Sequence, residues 1–130
     1  MTSLETEKVE TAEASSQAVF ALPAVIKKRA DFVRASNARK QGTPAFLLQA
    51  RFREDSAPFR VGFTCSKKVG NAVARNRAKR RLREIARLVL NDADKAGWDY
   101  VLIGRKDATA TRDFVLLQKD LRFALRKVHE

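Results

Sequence analysis

The segment from residue 74 to residue 89 constrains the fold of this chain more than any other part of the sequence. On a helix, where successive residues turn by about 100°, its small and aliphatic residues form one narrow stripe: Ala74, Ala78, Leu82, Ile85 and Val89. The opposite side is polar and strongly cationic, with Asn76, Arg77, Lys79, Arg80, Arg83 and Arg87. Arg75 and Arg81 flank the stripe. The pattern predicts an amphipathic helix with one face packed on a core and the other available to anions.

Positive charge is concentrated around this predicted helix. Residues 66–87 hold nine Lys and Arg side chains against one acid, Glu84. The chain of 130 residues has a formal charge of +12, which divides into −3 for residues 1–20 and +15 for the rest. This balance favours a nucleic acid as partner, with an anionic membrane a distant second, but charge alone does not separate RNA from DNA.

The length predicts one domain, and the composition separates that domain from an N-terminal tail. Residues 1–20 are rich in Glu, Thr, Ser and Ala and are predicted to form a disordered acidic tail. Residues 21–130 are predicted to form a single α/β domain. The N-terminus lacks an apolar signal region and no apolar run approaches bilayer-spanning length. We therefore expect a cytoplasmic protein with no membrane partner.

Hydrophobic periodicity predicts the order helix, two or three strands, basic helix, strand, helix. The first helix is expected at about residues 28–37, with Phe32 and Val33 facing inward. The other predicted elements are a turn at 41–44, strands at 46–52 and 59–65 joined by a hairpin connection at 54–58, a buried strand at 100–103, a loop at 106–112 and a closing helix at 112–128. The expected fold class is α+β, a small two-layer α/β sandwich with its helices on one side of the sheet.

The sequence offers few candidates for a catalytic or metal-binding side chain. Cys65, the only cysteine, lies in an apolar run and is predicted to be a packed thiol rather than a nucleophile. His129, the only histidine, is predicted to be a frayed surface residue. Asp92 and Asp94 follow a helix and are expected to be solvated acids rather than metal ligands. No metal site is predicted, and any catalytic groups are expected to belong to a partner.

A longer motif surrounds the basic helix. It spans residues 60–84 and reads RVGFTCSKKVGNAVARNRAKRRLRE. It closely resembles the signature of the bacterial ribonuclease P protein subunit family, in which a strand runs through a Ser-Lys-Lys loop into a helix carrying Arg-Asn-Arg and a further Lys-Arg pair. The matching segments here are Ser66–Lys68, Gly70–Val73, Arg75–Arg77 and Lys79–Arg81. Weaker agreement at residues 29–32 and 98–105 extends the resemblance to roughly residues 22–128.

The resemblance implies both a fold and a function. Members of the family have a small α/β fold related to the ribosomal S5 domain 2-like fold, with the order α-β-β-β-α-β-α and an uncommon left-handed βαβ crossover around the basic helix. They bind a large catalytic RNA, and the complex removes the 5′ leader from precursor tRNA by endonucleolytic hydrolysis. The implied cofactor is Mg²⁺, held mainly by the partner RNA. Residues 21–130 are thus implied to be an RNA-binding domain whose partners are the catalytic RNA subunit and precursor tRNA, with no protein partner required.

Two groups of site residues are also implied by the resemblance. Docking on the catalytic RNA is implied for Lys67, Lys68, Asn71, Arg75, Asn76, Arg77, Lys79, Arg80 and Arg81. Arg83 and Arg87 extend the same positive face, either as further contacts or as solubilising charges. The leader is implied to run along a cleft between the first helix and the sheet, here called the leader cleft, with Phe32, Gln49, Arg51 and Arg60. Phe32 is either a stacking platform for a nucleotide or a core residue. Ser36 and Gln49 stand where many members carry aromatic residues, which implies a more polar cleft.

Three other functions fit parts of the sequence. A ribosomal or other structural RNA-binding protein would share the size, charge and fold type, but the Arg-Asn-Arg helix after the Ser-Lys-Lys loop favours ribonuclease P. A helix-turn-helix DNA-binding protein is poorly supported, because the basic helix follows a strand. A membrane-surface helix is the weakest alternative, because the apolar stripe is rich in Ala and lacks interfacial aromatic residues.

Overall fold

A computed structural model of the chain describes residues 24–90 and 95–130. In chain order the elements are α1 (Arg29–Ser36), β1 (Arg39–Gly42), β2 (Phe46–Phe52), β3 (Arg60–Thr64), a single 3₁₀ turn (Lys67–Val69), α2 (Ala72–Leu90), β4 (Trp98–Gly104), α3 (Ala108–Thr111) and α4 (Phe114–Val128). The predicted α+β class and the order α-β-β-β-α-β-α are confirmed. The 3₁₀ turn and α3, which is a single helical turn, lie in segments that were predicted to be loops.

The strands of the described residues form one sheet in the order β1-β2-β4-β3. Strands β1 and β2 are an antiparallel hairpin whose turn is closed by Thr43, since its hydroxyl accepts from the Phe46 amide at 3.0 Å and donates to the Phe46 carbonyl at 2.8 Å. Strand β4 pairs antiparallel with β2 and parallel with β3. The predicted hairpin between β2 and β3 is therefore wrong, because β4 lies between these two strands.

One face of the sheet is covered by α2 and α4 and holds the larger core. The apolar stripe predicted for α2 is confirmed for Ala78, Leu82, Ile85 and Val89, which are buried, whereas Ala74 in the first turn is half-buried. Helix α4 contributes Leu117, Leu121, Ala124 and Val128, and the sheet contributes side chains that include Phe46, Leu48, Val61, Tyr100 and Leu102. Burial of one Leu, Ile or Val side chain typically contributes about 1.5–3 kcal/mol. Because α2 buries several of them on one face, its amphipathic pattern determines which side of the helix packs on the sheet.

The opposite face of the sheet is covered in part by α1. The prediction that all helices lie on one side of the sheet is therefore wrong. Ile26, Ala35 and Val101 are buried there, with Phe32 packed against them. The Phe32 ring lies over Gly62, where an added Cβ would come within 2.5 Å of the ring. Val33 was predicted to face inward but is 47% exposed. Helix α1 has 8 residues, and its buried side is set by Asp31 and Ala35 instead.

His129 is packed against aromatic side chains rather than frayed. Its Nε2 lies 2.8 Å from the Tyr100 hydroxyl, and its ring meets the Trp98 ring edge-on at 4.4 Å between centroids. Burial lowers the pKa of His129, and the nearby charges of Lys95 and Arg39 lower it further. The residue follows the last turn of α4 and fastens that helix to β4. The predicted tail at residues 1–20 and the acids Asp92 and Asp94 lie outside the described residues.

Candidate RNA interface

The chain enters α2 through a tight loop that leaves two lysines exposed. Ser66 caps the 3₁₀ turn by accepting from the Lys68 amide at 3.3 Å. Gly70 has φ 146°, and a Cβ there would lie 2.9 Å from the Ala74 Cβ, so a glycine is required. Asn71 is the N-cap as predicted, because its Oδ1 accepts from the Ala74 amide at 2.9 Å. Lys67 and Lys68 point to solvent beside the start of the helix.

The solvent side of α2 presents the predicted polar and cationic residues. Asn76, Arg77, Arg80 and Arg83 are exposed, and Lys79 is half-buried. Within the described ranges no hydrogen bond or ion pair engages the charged groups of Lys67, Lys68, Arg77 and Arg80. We call the set Lys67, Lys68, Asn76, Arg77, Lys79 and Arg80 the docking face. Exposed cationic groups on a helix and on the turn that leads into it, without protein partners, are what a surface for phosphate requires.

The other arginines of α2 and its N-cap have structural partners. Arg81 donates from Nη1 to the Thr109 carbonyl at 2.8 Å and lies over the Phe114 ring. Arg83 lies over the Phe63 ring, with its Cζ 5.4 Å from the ring centroid. Arg75 donates from Nη1 to the Gly70 carbonyl at 3.4 Å. These contacts fasten α2 to α3, α4 and β3, and the hydrogen bonds of Arg75 and Arg81 use donors of a kind that, over the residues that the structure describes, stay free at Arg77 and Arg80.

Cys65 directly follows β3 and lies near Arg75 and Lys79 of α2. It is half-buried and packs against the larger core, as predicted. Burial raises the pKa of its thiol, although Lys79 and Arg75 act in the opposite direction. A thiol with a raised pKa is a poor nucleophile.

The structure brings all four predicted leader-cleft residues to the face of the sheet that α1 covers. Strand register places Gln49 opposite Val101, and both Arg51 and Arg60 opposite Asp99. Gln49 is only 6% exposed, so it offers little surface to a ligand. Phe32 is half-buried, with its ring over Gly62, so it partly packs on the sheet and partly faces solvent.

A buried carboxylate organises this side of the sheet, and the sequence analysis missed it. Asp99 is 0% exposed, and three arginines converge on it. Arg60 binds it with two hydrogen bonds, from Nε to Oδ1 at 2.8 Å and from Nη2 to Oδ2 at 2.6 Å. Arg53 donates to it from Nη1 at 2.5 Å, and Arg51 lies at 3.7 Å. The signal was an Asp inside an otherwise apolar strand, since a buried charge requires a partner.

The arginines keep Asp99 charged. Burial by itself would raise the pKa of Asp99, but hydrogen bonds from Arg60 and Arg53 and their charges outweigh burial, and the pKa is lowered. Arg53 is also bound to Asp55 and to the carbonyls of Ala57 and Pro58, so it fastens the connection between β2 and β3. Burial and hydrogen bonding of this kind fix the cluster in one geometry.

Two absences within the described residues bear on function. No group of three or more His, Cys, Asp or Glu side chains in residues 24–90 and 95–130 is placed to hold a metal ion. Over the same ranges, none of the helices has the length and apolar character needed to cross a membrane.

The sequence of this chain is similar to the proteins of one family. A family model described as Ribonuclease P matches residues 20–129. The ribonuclease P protein component of Ruegeria pomeroyi is 63% identical over 107 residues, which cover 81% of this chain and 86% of that protein. The corresponding protein of Gluconacetobacter diazotrophicus is 54% identical over 103 residues, covering 78% and 88%.

Solved structures show the same fold. The RNase P protein of Staphylococcus aureus aligns with a TM-score of 0.64 and 30% identity, covering 78% of this chain and 92% of that one. The RNase P protein of Thermotoga maritima aligns with a TM-score of 0.65 and 26% identity, covering 78% and 96%.

Proposed function

This chain belongs to the family of ribonuclease P proteins, which are the protein component of a tRNA-processing enzyme, and we propose that it binds the catalytic RNA of that enzyme through α2. Membership favours this function over a structural RNA-binding protein. The observation that carries the docking proposal is the docking face, where Arg77, Arg80, Lys67 and Lys68 are exposed and their charged groups have no partner among the described residues. A phosphate backbone supplies the missing anions.

We further propose that the RNA holds the catalytic centre. The protein would position and screen RNA, while Mg²⁺ supplies the activated water and charge stabilisation within the RNA. Support comes from the donor set of this chain: Asp31 and Asp99 lie together but are bound by arginines, which leaves no carboxylate cluster there for a cation. Oxygen ligands for Mg²⁺ are instead abundant on RNA phosphates.

Precursor tRNA is the proposed substrate, and its single-stranded leader would lie on the α1 side of the sheet. That side carries Phe32 for stacking and Arg51 and Arg60 for phosphate, on the face of the sheet opposite to the one that α2 covers. One RNA can therefore be held on α2 while another strand runs along α1. The two surfaces predict separable effects of mutation.

Replacing Phe32 by Leu should weaken the binding of precursor tRNA by the assembled enzyme. Leu keeps an apolar cover over Gly62 but removes the ring, whose stacking on one base is worth about 1–3 kcal/mol. Mature tRNA, which has no leader, should bind as before. The measurement is the dissociation constant of each tRNA, with thermal unfolding recorded in parallel.

The matched control is Phe123→Leu, which removes another partly exposed ring from α4, away from the cleft. It should leave both tRNAs bound as in the wild type. A stable Phe32→Leu enzyme that still prefers precursor over mature tRNA to the wild-type degree would assign Phe32 to packing alone.

The protein by itself should not cleave precursor tRNA, and cleavage should appear once the RNA subunit is added. Cys65→Ser and His129→Gln should keep the single-turnover rate at saturating Mg²⁺, because the structure gives one a packing role and the other a hydrogen bond to Tyr100. Rates are measured on end-labelled precursor with excess enzyme. A large rate loss in either folded variant would reveal a catalytic group in the protein.

A further inference from the structure

The two arginines of the leader cleft are held by carboxylates yet keep free donors. Arg51 Nη1 lies 3.7 Å from Asp99 Oδ2 and 3.8 Å from Asp31 Oδ1, which are ion pairs beyond hydrogen-bond length. Within residues 24–90 and 95–130 the Arg51 guanidinium makes no hydrogen bond. Its side chain is 25% exposed. An arginine held in this way retains its donors for a phosphate.

Arg60 is held more firmly, but its hydrogen bonds also leave one of its nitrogens free. Its Nε and Nη2 are committed to Asp99, whereas its Nη1 has no hydrogen-bond partner in the described part of the chain. Its Nη2 also lies 3.5 Å from Asp31 Oδ2. Arg53 differs, because its nitrogens are used by Asp55, Asp99 and three backbone carbonyls. Arg51 and Arg60 are thus the members of the cluster that can take another ligand.

Asp31 is the acid on α1 that lies beside these two arginines. One carboxylate oxygen is near Arg51 and Arg34, and the other is near Arg60. Its side chain is 12% exposed, whereas that of Asp99 is fully buried beneath the arginines. Asp99 therefore fixes the arginines from below, and Asp31 offsets their charge at the edge that a strand of RNA would approach.

We propose that Asp31 is a specificity-determining residue that weakens the hold of Arg51 and Arg60 on phosphate, so that only a correctly placed leader strand displaces it. This inference rests on the proposed leader cleft. Without Asp31 the cluster would be a stronger and less selective anion site. With it, a leader phosphate has to compete with a carboxylate that α1 already holds in place.

The sign of the expected effect separates this role from a structural one. Asp31→Asn keeps the shape and removes the charge, so the assembled enzyme should bind precursor tRNA more tightly. The expected gain is about threefold, which is what one unit charge about 6 Å from a phosphate is worth in water. The log–log salt dependence should steepen by up to about 0.7 for each phosphate newly engaged. Mature tRNA binding should not change.

Asp120→Asn is the matched control. Asp120 is an equally covered acid on α4, 13% exposed and bound to Arg112 at 2.5 Å, outside the cleft. The Asp120→Asn substitution makes the same change in net charge as Asp31→Asn and should alter neither the affinity for tRNA nor its salt dependence. Weaker or unchanged precursor binding by folded Asp31→Asn enzyme, with an unchanged salt slope, would overturn the inference.

Arg51→Gln separates failure of this inference from failure of the cleft itself. If Arg51→Gln weakens precursor binding while Asp31→Asn does not strengthen it, the leader cleft is supported and the role proposed for Asp31 is contradicted. If neither Arg51→Gln nor Phe32→Leu affects discrimination between precursor and mature tRNA, both the leader cleft and the role proposed for Asp31 are contradicted.

If Asp31→Asn does not fold, nuclear magnetic resonance of the wild-type full chain gives the answer. Addition of a short single-stranded RNA with a leader sequence should shift the side-chain carboxyl signal of Asp31 and the Nε–H signal of Arg51, together with the ring signals of Phe32. Shifts of Phe32 while Asp31 or Arg51 stays unshifted would overturn the inference.

Discussion

Replacing Arg77, Lys79 and Arg80 together by Ala should weaken binding of the RNA subunit by roughly a hundredfold to five-hundredfold at about 0.1 M salt. Each phosphate contact contributes about 0.7–0.9 to the log–log salt slope, so the triple variant should also show a slope flatter by about two to three. These residues lie on the solvent side of α2, opposite the stripe that the core buries, so the fold should be kept. Binding is measured by filter retention across a salt series.

A control with the same loss of charge tests whether position matters. Lys119, Arg122 and Arg126 are exposed on α4, and their triple replacement by Ala removes three charges outside the docking face. This variant should lose only the small part of affinity that comes from long-range attraction. Equal losses in the two triple variants would show that net charge, and not the surface of α2, determines binding.

Asp99→Asn should cost about 3–5 kcal/mol of unfolding free energy, the usual penalty for removing one partner of a buried ion pair. The carboxylate is 0% exposed and receives hydrogen bonds from Arg53 and Arg60, which would be left with poorly compensated charge. The measurement is urea unfolding followed by circular dichroism. Asp120→Asn, which removes one partner of a more exposed pair, should cost clearly less stability than Asp99→Asn.

The pH dependence gives a second check on Asp99. Its pKa in the folded protein is lowered from the ordinary value of 3.8. The ion cluster therefore contributes stability above that value, and this contribution is lost as the pH falls through the lowered pKa of the folded state. The Asn variant should lack this component of acid unfolding. Equal stability of wild type and variant at neutral pH would show that the arginines find other partners.

The helix α2 was predictable because its pattern is local. Ala78, Leu82, Ile85 and Val89 recur at helical spacing, and all four are buried where expected. The N-cap Asn71 likewise acts within three residues of itself. Short-range periodicity and capping are properties that a single sequence carries in full.

Pairings between distant strands were not predictable in the same way. Residues 54–58 join two strands with alternating patterns, which suggested a hairpin, but β4 takes the place between them. Alternation shows that a strand has a buried face and does not show which strand lies beside it. Nor does it show that α1 would cover the second face, which is why Gln49 is buried although it occupies a polar position in the pattern.

The leader cleft could be predicted from the sequence only in part. Arg51 and Arg60 were placed correctly on the α1 face, but their partners Asp31 and Asp99 are far from them in sequence. Only the register of β2, β3 and β4 brings Asp99 opposite both arginines. The roles proposed for these residues and for the docking face stay predictions until the variants are measured.

The central position of β4 has a consequence for how the protein is made. Arg60 of β3 pairs with Asp99 of β4, a separation of 39 residues that spans the whole of α2. Long-range parallel pairing raises the contact order and slows folding. During synthesis, β3 and the cationic α2 therefore emerge from the ribosome before the strand that completes their sheet. Folding of the domain should wait until residue 104 has left the exit tunnel, and until then the nascent chain exposes its basic segment close to ribosomal RNA.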